Sequence, residues 1–208
     1  MAEPGADWTR HLAEPGLWVQ PLSDLEPFRG RPALFLDRDG TINVDTGYPS
    51  DPAEIVLLPG IFPAIRAAND AGLASVIVTN QSGVARGLFG WDAFEAVNRR
   101  VVELLAAEGC RIDLVLACAY HEDGKGNLAV ADHPMRKPNP GMILRAAEIA
   151  DLDLARSIMV GDRETDMEAG RRAGLPHVFL FDGKSSEDLM AAIADAAGQA
   201  SPKGKPIS

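Results

Sequence analysis

From residue 31 onward, short uninterrupted apolar runs alternate with longer stretches whose apolar residues recur every three or four positions. No other feature of the chain narrows its possible folds so far. The runs Pro32 to Leu36, Leu73 to Thr79, Ile112 to Cys118, Ser157 to Val160 and His177 to Phe181 lack the polar alternation of a half-exposed strand. Both faces of each such strand must therefore be covered. Between them, Ile61 to Gly72, Trp91 to Glu108, Pro140 to Ala150, the stretch ending at Arg172, and Glu187 to Ala197 carry helical stripes, and Gly72, Gly109 and Gly174 stop three of them. Strands alternating with helices mean repeated βαβ units. The expected fold is α/β, a Rossmann-like three-layer sandwich with a mainly parallel central sheet. Too few residues separate the first two motifs to make a large cap domain.

Residues 1–30 are rich in Pro and Gly, with Trp8, Leu12, Leu17, Trp18 and Phe28 scattered through them. They read as an N-terminal arm whose apolar anchors pack onto the domain. Residues 31–198 form the domain itself, and residues 199–208 are expected to be a disordered tail. A chain of 208 residues can bury a core without staples. Its net charge of −10 argues against an extended nucleic-acid or membrane partner, yet leaves room for a small anion held by local cations. The only cysteines, Cys110 and Cys118, make no disulfide framework, so a reducing cytoplasm is the expected compartment. The acidic start does not resemble a signal peptide, and no apolar run has the length of a membrane span. A monomer is expected.

In a parallel sheet, chemistry sits where the strands end. Four strand ends here are chemically rich. Asp37-Arg38-Asp39-Gly40-Thr41 offers two carboxylates that could divide labour, one as nucleophile and one as general acid. Thr79-Asn80-Gln81-Ser82-Gly83 concentrates hydroxyl and amide groups suited to an oxyanion. Arg136-Lys137-Pro138-Asn139-Pro140 presents two cations on a stretch stiffened by proline. Gly161-Asp162 is followed by Asp166 one helical turn on, and a carboxylate there could ligate a hard cation or simply cap the helix. Each stretch alone could be an ordinary polar loop. Together at neighbouring strand ends, Asp, Thr, Lys and Asp around one cation describe a phosphoryl-transfer site. A receiver-like phospho-acceptor signalling domain also gathers such residues. It carries its acceptor on a middle strand without a second acid two residues on, and is set aside.

These motifs resemble the haloacid dehalogenase superfamily of aspartate-nucleophile phosphatases, and more narrowly its histidinol-phosphatase branch, which includes the heptose bisphosphate phosphatases. The resemblance rests on Phe35 to Asn43, Gly47-Tyr48, Val78 to Gly83 with Ala85-Arg86-Gly87, Arg136 to Met142 and Val160-Gly161-Asp162. It implies that Asp37 is the nucleophile, Asp39 the general acid and base, and Thr79 and Lys137 the stabilisers of the transferring phosphoryl group. It implies Mg2+ bound by Asp37, the Asp39 backbone carbonyl and Asp162, with Asp166 orienting Lys137 or the metal site. Arg136 would recognise the rest of a small phosphorylated metabolite, helped by Asp45, Thr46, Gly47, Tyr48, Asn80, Gln81 and Ser82. Heptose 1,7-bisphosphate is the first substrate expected and histidinol phosphate the second.

In the heptose bisphosphate phosphatases that the chain resembles, the loop before Arg-Lys-Pro typically holds structural zinc through Cys-x-His and Cys-x-Cys. Here Cys118 keeps its place, but Tyr120 stands for the histidine, and His133 and Met135 stand for the two cysteines. Cys118, His121 and His133, with Asp132 as a fourth ligand, are the remaining zinc candidates. Structural zinc is not expected; packing and hydrogen bonds should hold the loop instead.

Overall fold

The computed structural model describes residues 8–198. Seven strands form one sheet in the order β1-β2-β5-β4-β3-β6-β7. Five are parallel: β3 (Ala33–Leu36), β4 (Ala74–Asn80), β5 (Leu114–Cys118), β6 (Ile158–Gly161) and β7 (His177–Leu180). Each coincides with one of the apolar runs. The helices fall between them: α1 (Phe62–Asp70), the short α2 (Ser82–Arg86), α3 (Trp91–Ala107), α4 (Gly141–Ala150), α5 (Glu164–Arg172) and α6 (Glu187–Gly198).

Side chains alternate across the sheet and feed two cores. Leu34 and Leu36 join Ile77 and Val115 under α1, α3 and α6. Ala33 and Phe35 join Val76, Val78, Leu114 and Leu116 under α4 and α5. This is the expected three-layer sandwich. Among the described residues no helix is long and apolar enough to cross a membrane.

The remaining two strands come from the segment read as an arm. Strands β1 (Leu12–Glu14) and β2 (Leu17–Pro21) form a hairpin, and β2 pairs antiparallel with β5 from Leu17↔Cys118 to Pro21↔Leu114. Its anchors do pack onto the domain, with Trp18 fully buried against Trp91 and Phe94. They do so as part of the sheet, whose outermost parallel strand would otherwise show an unpaired edge. The tail expected at 199–208 lies outside the described residues.

Chain order reverses at β3. Its successor in sequence, β4, lies on one side and β6 on the other, so the crevice beyond the carboxyl ends of β3 and β6 is a topological switch point.

Candidate active site

Asp37 leaves the end of β3 directly into that crevice, its backbone N–H donating to Val160 of β6 at 3.0 Å. It is largely buried, and Lys137 Nζ stands 2.6 Å from its Oδ1. The same Nζ is 2.6 Å from Asp166 Oδ1 on the first turn of α5. Burial pushes the Asp37 carboxyl up to about 7, despite the opposing pull of Lys137. Burial alone would lower the Lys137 pKa, but Asp37 and Asp166 together raise it, so the ammonium is firmly charged. Asp166 uses its other oxygen to accept the Arg163 backbone N–H at 3.0 Å, and so caps α5 from within. Helix capping falls to Asp166 and not to Asp162.

Asp37, Asp162 and Asp166 offer carboxylate oxygens that all lie within 4.8 Å of one another. Asp162 Oδ1 is buried with no hydrogen-bond partner, and its carboxylate lies where a side chain on Gly40 would stand. Gly40 has φ +91, so neither the backbone nor the space there suits another residue. An oxygen-only donor set with an orphaned carboxylate oxygen fits a hard divalent cation. Burial and the neighbouring Asp166 both raise the Asp162 pKa.

Asp39 lies in a different environment. Arg38 Nε donates to its Oδ1 at 3.0 Å and Arg38 Nη2 to its Oδ2 at 2.8 Å. Asn43 Nδ2 adds a bond to Oδ1 at 2.9 Å and Gln81 Nε2 one to Oδ2 at 2.8 Å. Burial would raise its pKa, but Arg38 and these donors outweigh it and hold the carboxyl below its ordinary value. Two carboxylates one residue apart are thus pushed in opposite directions.

A cleft of about 470 Å³ opens over these groups. Its lining includes Asp37, Asp39, Thr79 and Lys137, with Asp45, Gly47, Tyr48, Ser82 and Arg136 from the expected recognition set. Thr46 is not part of this wall. Asn80 and Gln81 line it, yet their amides are committed to the protein. Asn80 exchanges two hydrogen bonds with the Lys137 backbone, at 2.9 and 3.1 Å, and so sets the position of that lysine. Gln81 Nε2 links Asp39 to Thr79 Oγ1, the latter at 3.0 Å. Arg163 was overlooked in the sequence. It lines the same cleft, pairs with Asp45 at 2.6 Å and ties the 44–49 turn to the end of β6. Arg38 was overlooked too: it is fully buried, its guanidinium over the Phe94 ring at 5.2 Å.

The zinc candidates are not brought together. Among the described residues the Asp37, Asp162 and Asp166 cluster is the only such group of potential metal ligands. His121 faces Arg86 through Nε2 and the Asp123 backbone N–H through Nδ1, at 3.1 and 3.0 Å. His133 stacks on Tyr120 with ring centroids 3.7 Å apart, and its Nδ1 accepts the Met135 N–H at 3.2 Å. Asp132 is bonded to Asn139. Burial pushes the Cys118 thiol up to about 12.

Comparison with known proteins identifies the family. A family model described as HAD-hydrolase-like matches residues 134–201. The D-glycero-beta-D-manno-heptose-1,7-bisphosphate 7-phosphatase of Mesorhizobium japonicum is 61% identical over 175 residues, covering 84% of this chain and 81% of that protein. The D-glycero-alpha-D-manno-heptose-1,7-bisphosphate 7-phosphatase of Burkholderia mallei is 45% identical over 72% of this chain and 79% of its own. Among solved structures, a candidate HAD-like phosphatase from Mesorhizobium loti superposes with a TM-score of 0.85 at 55% identity, over 89% of this chain and 97% of that one. The D,D-heptose 1,7-bisphosphate phosphatase of B. bronchiseptica, complexed with magnesium and phosphate, gives a TM-score of 0.65 at 32% identity, over 81% and 99%.

Proposed function

The chain belongs to the HAD-like hydrolases, and we propose that it is a magnesium-dependent phosphomonoesterase that removes the 7-phosphate of D-glycero-D-manno-heptose 1,7-bisphosphate. One observation carries the chemistry: Lys137 Nζ bridges Asp37 and Asp166 at the sheet's switch point, beside an Asp162 oxygen with no partner.

In this reading the Asp37 carboxylate attacks phosphorus in line, forming an aspartyl-phosphate as the bond to the sugar oxygen breaks. Asp39, once it has taken up a proton against the pull of Arg38, Asn43 and Gln81, gives that proton to the leaving oxygen. The resulting Asp39 carboxylate takes a proton from water as the water oxygen attacks phosphorus, and cleavage of the acyl phosphate returns Asp37. The bonds from Arg38, Asn43 and Gln81 favour the ionised Asp39 that this second half requires. Thr79 and Lys137 stabilise the phosphoryl oxygens. Magnesium, held by Asp37, Asp162 and the Asp39 backbone carbonyl, supplies further positive charge there. Asp166 orients Lys137. Arg136 recognises the sugar end with Gly47, Tyr48 and Ser82, while Asn80 and Gln81 serve as positioning residues. The protein works as a monomer in a reducing cytoplasm, a setting compatible with its two free, buried cysteines.

Phosphate release from heptose 1,7-bisphosphate anomers, histidinol phosphate and simple sugar phosphates, with and without magnesium, tests this reading. The heptose bisphosphate should lead by about tenfold or more in kcat/KM, roughly what one lost hydrogen bond to a charged group costs its competitors. Histidinol phosphate in the lead would remove the heptose and keep the phosphatase. No hydrolysis of any member would remove both. Asp37→Asn should lower kcat by about a thousandfold or more, and an unchanged rate would end its assignment as nucleophile.

A further inference from the structure

Arg136 and Lys137 are neighbours in sequence, but separate parts of the protein hold them. Lys137 is fixed by Asn80 through its backbone and by Asp37 and Asp166 through its ammonium. Arg136 depends on Tyr120 and His133. Its Nη1 donates to the Tyr120 carbonyl at 3.0 Å, and its backbone N–H donates to the His133 carbonyl at 2.9 Å. The rings of these two residues stack at 3.7 Å with planes 16° apart. Both rings also point at one carboxylate of the N-terminal hairpin. Tyr120 Oη donates to Glu14 Oε2 at 3.2 Å, and His133 Nε2 lies 3.8 Å from the same oxygen. Because His133 Nδ1 accepts the Met135 N–H, the ring proton belongs on Nε2, facing Glu14. Gly16 closes the arrangement from behind. Its carbonyl accepts the Ala119 N–H at 2.8 Å, and a side chain there would stand 2.8 Å from the Tyr120 ring.

We infer that Glu14, Tyr120 and His133 form a staple through which the N-terminal hairpin positions Arg136, and so sets the affinity for the part of the substrate beyond the transferring phosphoryl group. The inference rests on the phosphatase reading, in which Arg136 recognises that part. These three are positioning residues. Because Lys137 has its own supports, loosening the staple should weaken recognition and spare the chemistry.

Kinetics of Tyr120→Ala and His133→Ala in the full chain test this, with heptose 1,7-bisphosphate compared against p-nitrophenyl phosphate, which offers nothing for Arg136 to recognise. KM for the bisphosphate should rise about tenfold with kcat within about threefold, the scale of one hydrogen bond to a charged group. kcat/KM for p-nitrophenyl phosphate should stay within about twofold. Tyr120→Phe keeps the stack and loses only the Glu14 bond, so it should lose less than Tyr120→Ala. Equal losses on both substrates, or an unchanged KM, would overturn the staple. Hydrogen exchange provides a readout independent of substrate: the Arg136 amide should exchange about tenfold faster or more in Tyr120→Ala, and unchanged exchange would also overturn it. If the parent protein hydrolyses p-nitrophenyl phosphate but not the bisphosphate, the heptose reading fails, and the exchange result alone decides the staple.

Discussion

Lys137 stands between two buried acids, and each depends on it for neutrality. Lys137→Ala would leave Asp37 and Asp166 facing each other without a counter-charge. Losing one partner of a buried pair costs about 3–5 kcal/mol. Denaturant unfolding in the absence of divalent cations should show that loss, and magnesium should recover part of it by binding the folded state. An unchanged midpoint would mean that the ammonium contributes nothing to neutralising the site. The positions of Asp37, Asp39, Thr79, Lys137 and Asp162 were legible in the sequence because each ends or follows a strand or precedes a helix. In a parallel sheet that alone fixes the end of the molecule on which they lie. What their neighbours do was not legible. Arg38 lies between two acids in a polar turn, yet it points into the core over Phe94, and no local pattern shows which way a turn residue faces. Asn80 and Gln81 have the chemistry of ligand-binding amides, and only the fold reveals that Lys137 and Asp39 already occupy them.

The five parallel strands and five longer helices were legible as elements because hydrophobic periodicity reports local burial directly. The hairpin β1–β2 was not. Its strands have three and five residues, with Pro15 and Gly16 between them and Pro21 at the end, which reads as loop. Its only long pairing is with β5, far along the chain. Trp18 nonetheless joins the core under α3, fully buried, with its indole N–H bonded to Gln20 at 3.1 Å. A tryptophan in a dispensable arm could be truncated without consequence. Here Trp18→Ala should cost about 3–5 kcal/mol, as for other large core aromatics, measured by chemical denaturation. A cost near zero would mean that the hairpin is an appendage after all. Helix α2, at five residues, is too short to display a helical stripe.

At the scale of the whole molecule, each cysteine reports on one side of the sheet: Cys110 belongs to the core under α1, α3 and α6, and Cys118 to the core under α4 and α5. Burial raises both thiols, Cys118 to about 12 from an ordinary 9.0. The raised value favours the neutral thiol in the fold. Its contribution to stability is therefore complete below about pH 9 and fades as the pH climbs towards about 12. At neutral pH both should resist alkylation and react together across the unfolding transition, read by mass spectrometry. Labelling of Cys118 well before that transition would mean that the two cores open separately. The pairing of β2 with β5 also has a consequence during synthesis. The hairpin leaves the ribosome early, but its partner strand follows roughly a hundred residues later, a delay of about 5–20 s at ordinary elongation rates. For that interval Trp18 lacks the partner strand that seats it, and the nascent chain must carry the largest of its fully buried side chains without that support until Cys118 emerges.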